Sequence, residues 1–86
     1  MTKTLLLATA LLAAPIMASA MPAVGDHVGN TPETATEALA AAGCTVHEFE
    51  AEDGKIEAKC TDEANAHWEV YIDPASGDVV KIKADS

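Results

Sequence analysis

Apolar and polar positions divide the chain into three stretches of different period. From Leu5 to Met17 the side chains are apolar almost without interruption, broken only by Thr9 and Pro15. From Thr31 to Gly43 they recur at helical spacing, with Ala35, Ala38, Leu39 and Ala42 on one stripe at i, i+3, i+4 and i+7. From Cys44 onward apolar residues alternate with charged ones, and turn residues interrupt the alternation. Between the first two stretches, Met21 to Asn30 has no period and contains Pro22, Gly25 and Gly29. It is expected to be a flexible lead-in.

The helical stretch carries its own boundaries. Thr31 offers a hydroxyl for the N-cap, Pro32 occupies the first turn where a missing N–H does no harm, and Glu33 faces the positive end of the helix dipole. Gly43 is placed to end it.

In the alternating stretch, Asp53-Gly54 between Thr45–Glu52 and Lys55–Thr61 is a strong hairpin signal. A two-residue turn there pairs Glu52 with Lys55, Ala51 with Ile56, Phe49 with Ala58 and Glu48 with Lys59. Phe49, Ala51, Ile56 and Ala58 then share one face, and Glu–Lys pairs share the other. Asp62 to Ala66 reads as a polar connection. A third strand follows, in which Trp68, Val70 and Ile72 alternate with His67, Glu69 and Tyr71. Asp73 to Asp78 is a turn with Pro74 and Gly77, and Val79 to Lys83 makes a final strand whose lysines suit an exposed edge. The expected fold is α+β: one helix on a four-stranded antiparallel meander, laid against Phe49, Ile56, Ala58, Trp68, Val70 and Ile72.

One misfit refines this picture. Val46 and Phe49 are three apart, so strict alternation cannot bury both, and Cys44 would face away from Cys60. A bulge near His47-Glu48 puts Cys44, Val46 and Phe49 on one face and leaves Cys44 diagonal to Cys60.

The first stretch changes the setting of the domain. Lys3, an apolar run of signal-peptide length and Ala18-Ser19-Ala20 form the sequence of a secretory signal cleaved after Ala20. The run is short for a bilayer span, which needs about 20 apolar residues. Residues 31–86 are then the working domain, periplasmic or secreted. In an oxidising compartment two cysteines, Cys44 and Cys60, are most simply a disulfide.

Charge narrows the partners. The whole chain has a formal net charge of −9; loss of Lys3 leaves four lysines against fourteen acids, or −10, with no arginine. Such a field repels phosphate backbones and anionic headgroups, which argues against nucleic-acid binding and membrane association after signal cleavage.

The succession Glu37-Ala38-Leu39 through Gly43, Val46 and Phe49, Asp53-Gly54-Lys55-Ile56-Glu57-Ala58, and above all Tyr71-Ile72-Asp73-Pro74-Ala75-Ser76-Gly77-Asp78-Val79-Val80 resembles the PepSY domain family, especially small stand-alone exported members. The likeness covers roughly residues 31–83. It implies the α+β fold just described, no catalytic residues, and a role in binding or restraining peptidases. The two cysteines depart from the usual family pattern and suggest a core fastened by a bond as well as by packing.

Candidate chemistry is sparse. No Gly-x-Ser-x-Gly or His-Glu-x-x-His run appears, so no catalytic residue and no cofactor is expected. His27, His47 and His67 have Asp26, Glu48 and Glu69 as acidic neighbours; with His27 in the lead-in, His47 and His67 are the candidates for a divalent metal. The sheet face away from the helix, with Tyr71 exposed on it beside His67 and Glu69, is the expected partner surface. The function expected is an exported, non-enzymatic PepSY-like module that modulates or inhibits a peptidase. A periplasmic divalent-metal-binding protein and a self-associating structural module are the alternatives.

Overall fold

Helix α1 (Pro32–Ala41) begins where its capping residues place it. The Thr31 hydroxyl accepts from the Thr34 N–H, the Thr34 hydroxyl sits against the Thr31 N–H, and Pro32 opens the first turn. The other end is closed by two reversed bonds: the Gly43 N–H donates to the Ala40 carbonyl at 3.0 Å and the Cys44 N–H to the Leu39 carbonyl at 2.8 Å. These bonds turn the chain directly into the sheet. These are features of a computed structural model that describes residues 21–85; the export signal expected over residues 1–20 lies outside them.

Four strands follow in chain order, β1 (Thr45–Glu52), β2 (Lys55–Thr61), β3 (His67–Ile72) and β4 (Val79–Ala84), forming one antiparallel sheet in the order β1-β2-β3-β4. The β1–β2 pairing has the register expected from the Asp53-Gly54 turn: Glu52 with Lys55, Ala51 with Ile56, Phe49 with Ala58 and Glu48 with Lys59. Asp53 and Gly54 both have positive φ, 52° and 76°, so the turn is the mirror-image type whose twist matches a hairpin.

Between Val46 and Glu48 the register shifts by one residue, which is the expected bulge. A second shift, which alternation alone did not suggest, lies opposite Tyr71 and Ile72: Tyr71 pairs with Lys81 but Ile72 with Val79. The extra residue, Val80, is turned outward. Val79 and Ile82 are thereby brought to the core face although they are three apart, the same spacing as Val46 and Phe49.

The core lies between α1 and one sheet face. Leu39, Cys44, Ala58, Cys60, Val70, Ile72 and Val79 are almost wholly enclosed, with Phe49, Ile56, Trp68 and Ile82 packed around them. Full burial of Leu39 alone contributes roughly 1.5–3 kcal/mol. Cys44 and Cys60 are joined, with Cα atoms 5.3 Å apart, and the bond ties the helix end to the second strand.

The segment expected to be a flexible lead-in is built into the domain. Gly25 donates to the Val79 carbonyl at 2.8 Å, Val79 donates to the Asp26 carbonyl at 2.9 Å, and both Val28 and Gly29 donate to the Gly77 carbonyl. Val28 joins the core, and His27 meets Asp78 at 2.9 Å. The hydrogen-bonded unit therefore starts ahead of residue 31. Its aperiodic sequence reflects a strap held by backbone bonds and by three scattered apolar side chains, Val28 in the core, Met21 against it and Pro22 buried, a geometry that imposes no period.

Gly77 is where the strap and the β3–β4 turn touch. A Cβ there would lie 2.8 Å from the Gly29 backbone, and its φ is +77°. Gly77→Ala is expected to lower stability by on the order of 1 kcal/mol and to accelerate amide exchange at Gly25, Val28 and Gly29. Unchanged exchange at those three amides would mean that the strap is not held at this point.

Candidate functional site

The sheet face turned away from α1 collects the polar members of each alternating strand. Two cross-strand rows run over it. One is Glu48, Lys59, Glu69 and Lys83, an alternation of acid and base. The other is Glu50, Glu57, Tyr71 and Lys81, where two acids are direct neighbours. All four lysines of the described residues, Lys55, Lys59, Lys81 and Lys83, stand on this face, whereas α1 carries only acids among its charges. The acidic excess of the protein thus hides a mixed surface.

One of its salt bridges crosses between the rows and the other runs along the first. Lys59 reaches Glu50 at 3.3 Å, and Lys83 reaches Glu69 at 3.6 Å. The Glu50 carboxyl is held below the usual range by its hydrogen bond to Glu48 and by Lys59. Lys59 is raised by its bond to Glu50.

At the centre the face is closed over, contrary to the sequence expectation. Tyr71, expected to stand exposed, is only 7% accessible, and Glu57 is 3% accessible. The long side chains of the flanking strands lie over these two middle-strand residues: the Lys81 ammonium sits 5.0 Å from the Tyr71 ring centroid, within cation–π range. The Tyr71 hydroxyl donates to Glu69 at 3.0 Å and to Glu52 at 3.4 Å. Burial, followed by the hydrogen bond to Glu69 and the nearby carboxylates, holds the phenol well above its usual range.

Glu57 is the unusual member. It lies between Glu52 and Glu69, within hydrogen-bonding reach of both. Burial, then its bond to Glu52 and the charge of Glu69, raise its carboxyl from the usual 4.5 to about 7. For Glu69 burial acts in the same upward direction, but the bonds from Tyr71 and Glu57 and the charge of Lys83 outweigh it and the group is held low. With its carboxyl raised to about 7, Glu57 keeps its proton under conditions where Glu69, held low, is ionised. Alternation placed Glu57 on this face. Nothing in the sequence signalled that it would be covered.

Beside Tyr71 is a shallow cavity of about 210 Å³ lined by Glu52, Asp53, Lys55, Tyr71, Lys81 and Lys83. Sites for drug-sized ligands are roughly 300–1,000 Å³. This one suits a single inserted side chain.

The histidine candidates are divided. His47 and His67 come together at the far end of the face, with ring centroids 6.4 Å apart. The Thr61 hydroxyl lies between them, bonded to His47 Nε2 and 3.4 Å from His67 Nδ1. Of the acids read as possible co-ligands, Glu69 is committed to Tyr71 and Lys83, and Asp26 accepts from the Ala23 N–H. Among the described residues no group of three or more His, Cys, Asp or Glu is placed to hold a metal ion. Asp62, which the sequence did not single out, organises the neighbouring β2–β3 connection. It accepts from Trp68 Nε1 and from the Ala64 and Ala66 N–H groups, all at 2.9 Å, and these bonds hold its carboxyl low.

A family model described as peptidase propeptide and YPEB domain matches residues 2–83. The match begins inside the stretch read as an export signal. Neither a curated protein nor a solved structure shows a significant match to the chain.

Proposed function

The chain belongs to the PepSY family of peptidase propeptide and YPEB domains, and from that membership we propose that it is an exported, non-catalytic module that binds and modulates a secreted or periplasmic peptidase. The family match over nearly the whole chain carries this proposal. The disulfide supports export, because such bonds persist mainly in oxidising compartments. No helix among the described residues is long and apolar enough to cross a membrane.

The face bearing Tyr71, Glu69 and His67 is the surface proposed to meet the peptidase. Its alternating charges give orientation and partner choice, and the cavity beside Tyr71 gives one protruding side chain a place to enter.

The test uses the protein as its own cell processes it. It is crosslinked in the envelope or culture fluid, the adducts are identified by mass spectrometry, and the recovered peptidase is assayed with added protein. The expected result is a peptidase crosslinked through Lys55, Lys81 or Lys83, with its activity changed at stoichiometric addition. Only self-crosslinks, or a crosslinked peptidase whose activity does not change, would overturn the proposal.

A further inference from the structure

The two edges of the sheet are not equivalent. On β4 the strap covers the first residue, with Gly25 and Asp26 paired to Val79, and Lys81 and Lys83 follow. On β1 no backbone hydrogen bond among the described residues reaches the outer side of Thr45–Glu52. Because the two-residue turn closes on the Glu52–Lys55 pair, alternation makes Glu50–Glu57 the next hydrogen-bonded pair and turns the N–H and C=O groups of Phe49 and Ala51 outward.

Protein edges are normally blocked by lysine, proline, bulges or coverage. β1 has a bulge at its start, but from Glu48 to Glu52 it has neither lysine nor proline. It carries Glu48, Glu50 and Glu52 on the open face and Phe49 and Ala51 on the core face, where Phe49 is only half-buried. A second copy of this strand is a poor occupant, since antiparallel self-pairing sets its glutamates against these three, and like charges directly opposed are destabilising. A basic strand reverses that sign.

We infer that the β1 edge accepts, by strand addition, an extended segment of a partner protein in which Lys or Arg alternates with apolar residues. The basic side chains lie over Glu48, Glu50 and Glu52, and the apolar ones extend the core beside Phe49 and Ala51. The backbone groups of Phe49 and Ala51 supply affinity, and the glutamates supply register and selectivity. The glutamates of this edge stand on the Tyr71 face, where Glu52 accepts from the Tyr71 hydroxyl, but the backbone groups of Phe49 and Ala51 point out from the rim of the sheet, so the inference stands whether or not the partner is a peptidase.

The probe is a peptide of about seven residues alternating lysine and valine, titrated into the labelled protein as its cell processes it and followed by amide NMR. Shifts are expected at Phe49 and Ala51, with affinity falling as salt rises. Ala51→Pro removes an outward N–H without touching the β1–β2 ladder, so it should weaken binding at least tenfold. Glu48→Lys, at an exposed position, should do the same and serves as the test if the proline variant does not fold. Equal binding of a glutamate–valine peptide, shifts centred on Tyr71, or concentration-dependent self-pairing through β1 would each overturn the inference.

Discussion

The Cys44→Ala/Cys60→Ala double variant is expected to unfold with a free energy lower by about 3 kcal/mol. In a domain of this size that corresponds to a melting temperature lower by roughly 10–25 °C. The bond closes a loop between residues 16 apart in sequence, and opening it restores the freedom of that loop to the unfolded chain. Its position adds to the effect. Cys44 is the second residue past the helix C-cap, where its N–H already bonds the Leu39 carbonyl, while Cys60 belongs to a central strand. Both are essentially inaccessible, at 0% and 1%, so a reductant should act only once the domain opens. Thermal melts of the oxidised protein, the reduced and alkylated protein and the double variant check this together. Coincident melting of all three would show that packing alone holds the helix on the sheet.

Glu57→Gln is expected to stabilise the protein by roughly 2 kcal/mol at pH 8 and to change little near pH 4.5. The carboxyl is raised in the folded state from the usual 4.5 to about 7, so between those values the folded protein retains a proton that the unfolded chain has lost. The contribution is fully present below about pH 4.5 and is lost as pH rises through about 7. A shift of that size corresponds to about 3 kcal/mol, and solvent on the outer side of the sheet screens the cluster to roughly 2.

The groups around Glu57 explain why ionisation is unfavourable. Glu50 is directly opposite on β1 with Glu52 beside it, Tyr71 is opposite on β3 with Glu69 beside it, and Lys55 and Lys59 flank Glu57 on β2. On β4, Lys83 is engaged with Glu69 and Lys81 with the Tyr71 ring. Glutamine supplies donors to Glu52 and Glu69 at every pH. Denaturant titrations of both proteins at pH 5 and pH 8 would disprove the assignment if the difference between them were the same at the two values. Glu50, Asp62 and Glu69, all held low, act in the opposite sense: their stabilisation is present above the usual carboxylate range and is lost as pH falls below it, through their lowered folded-state values.

The two bulges show how far alternation can be read. Val46 and Phe49 share a spacing that no flat strand can bury, and Cys44 made the conflict visible because it needed a partner. Val79 and Ile82 present the same spacing, but Val80 between them offers an equally apolar alternative, and no cysteine forced a choice. Only packing against Val70 and Ile72 selects Val79 for the interior.

Local chemistry in the sequence determined the helix and its caps, the hairpin register, the strand order, the β1 bulge and the pairing of Cys44 with Cys60. Each depends on neighbours a few residues away or on one cross-strand partner, and those interactions are written in residue type and spacing. The tertiary structure alone decided that residues 21–29 strap the β4 edge, that Tyr71 and Glu57 are covered on a face expected to be open, and that His47 and His67 converge on Thr61. Those outcomes depend on side chains from several strands lying across one another. Burial on a polar face is a property of the assembled sheet, and no single strand's pattern encodes it.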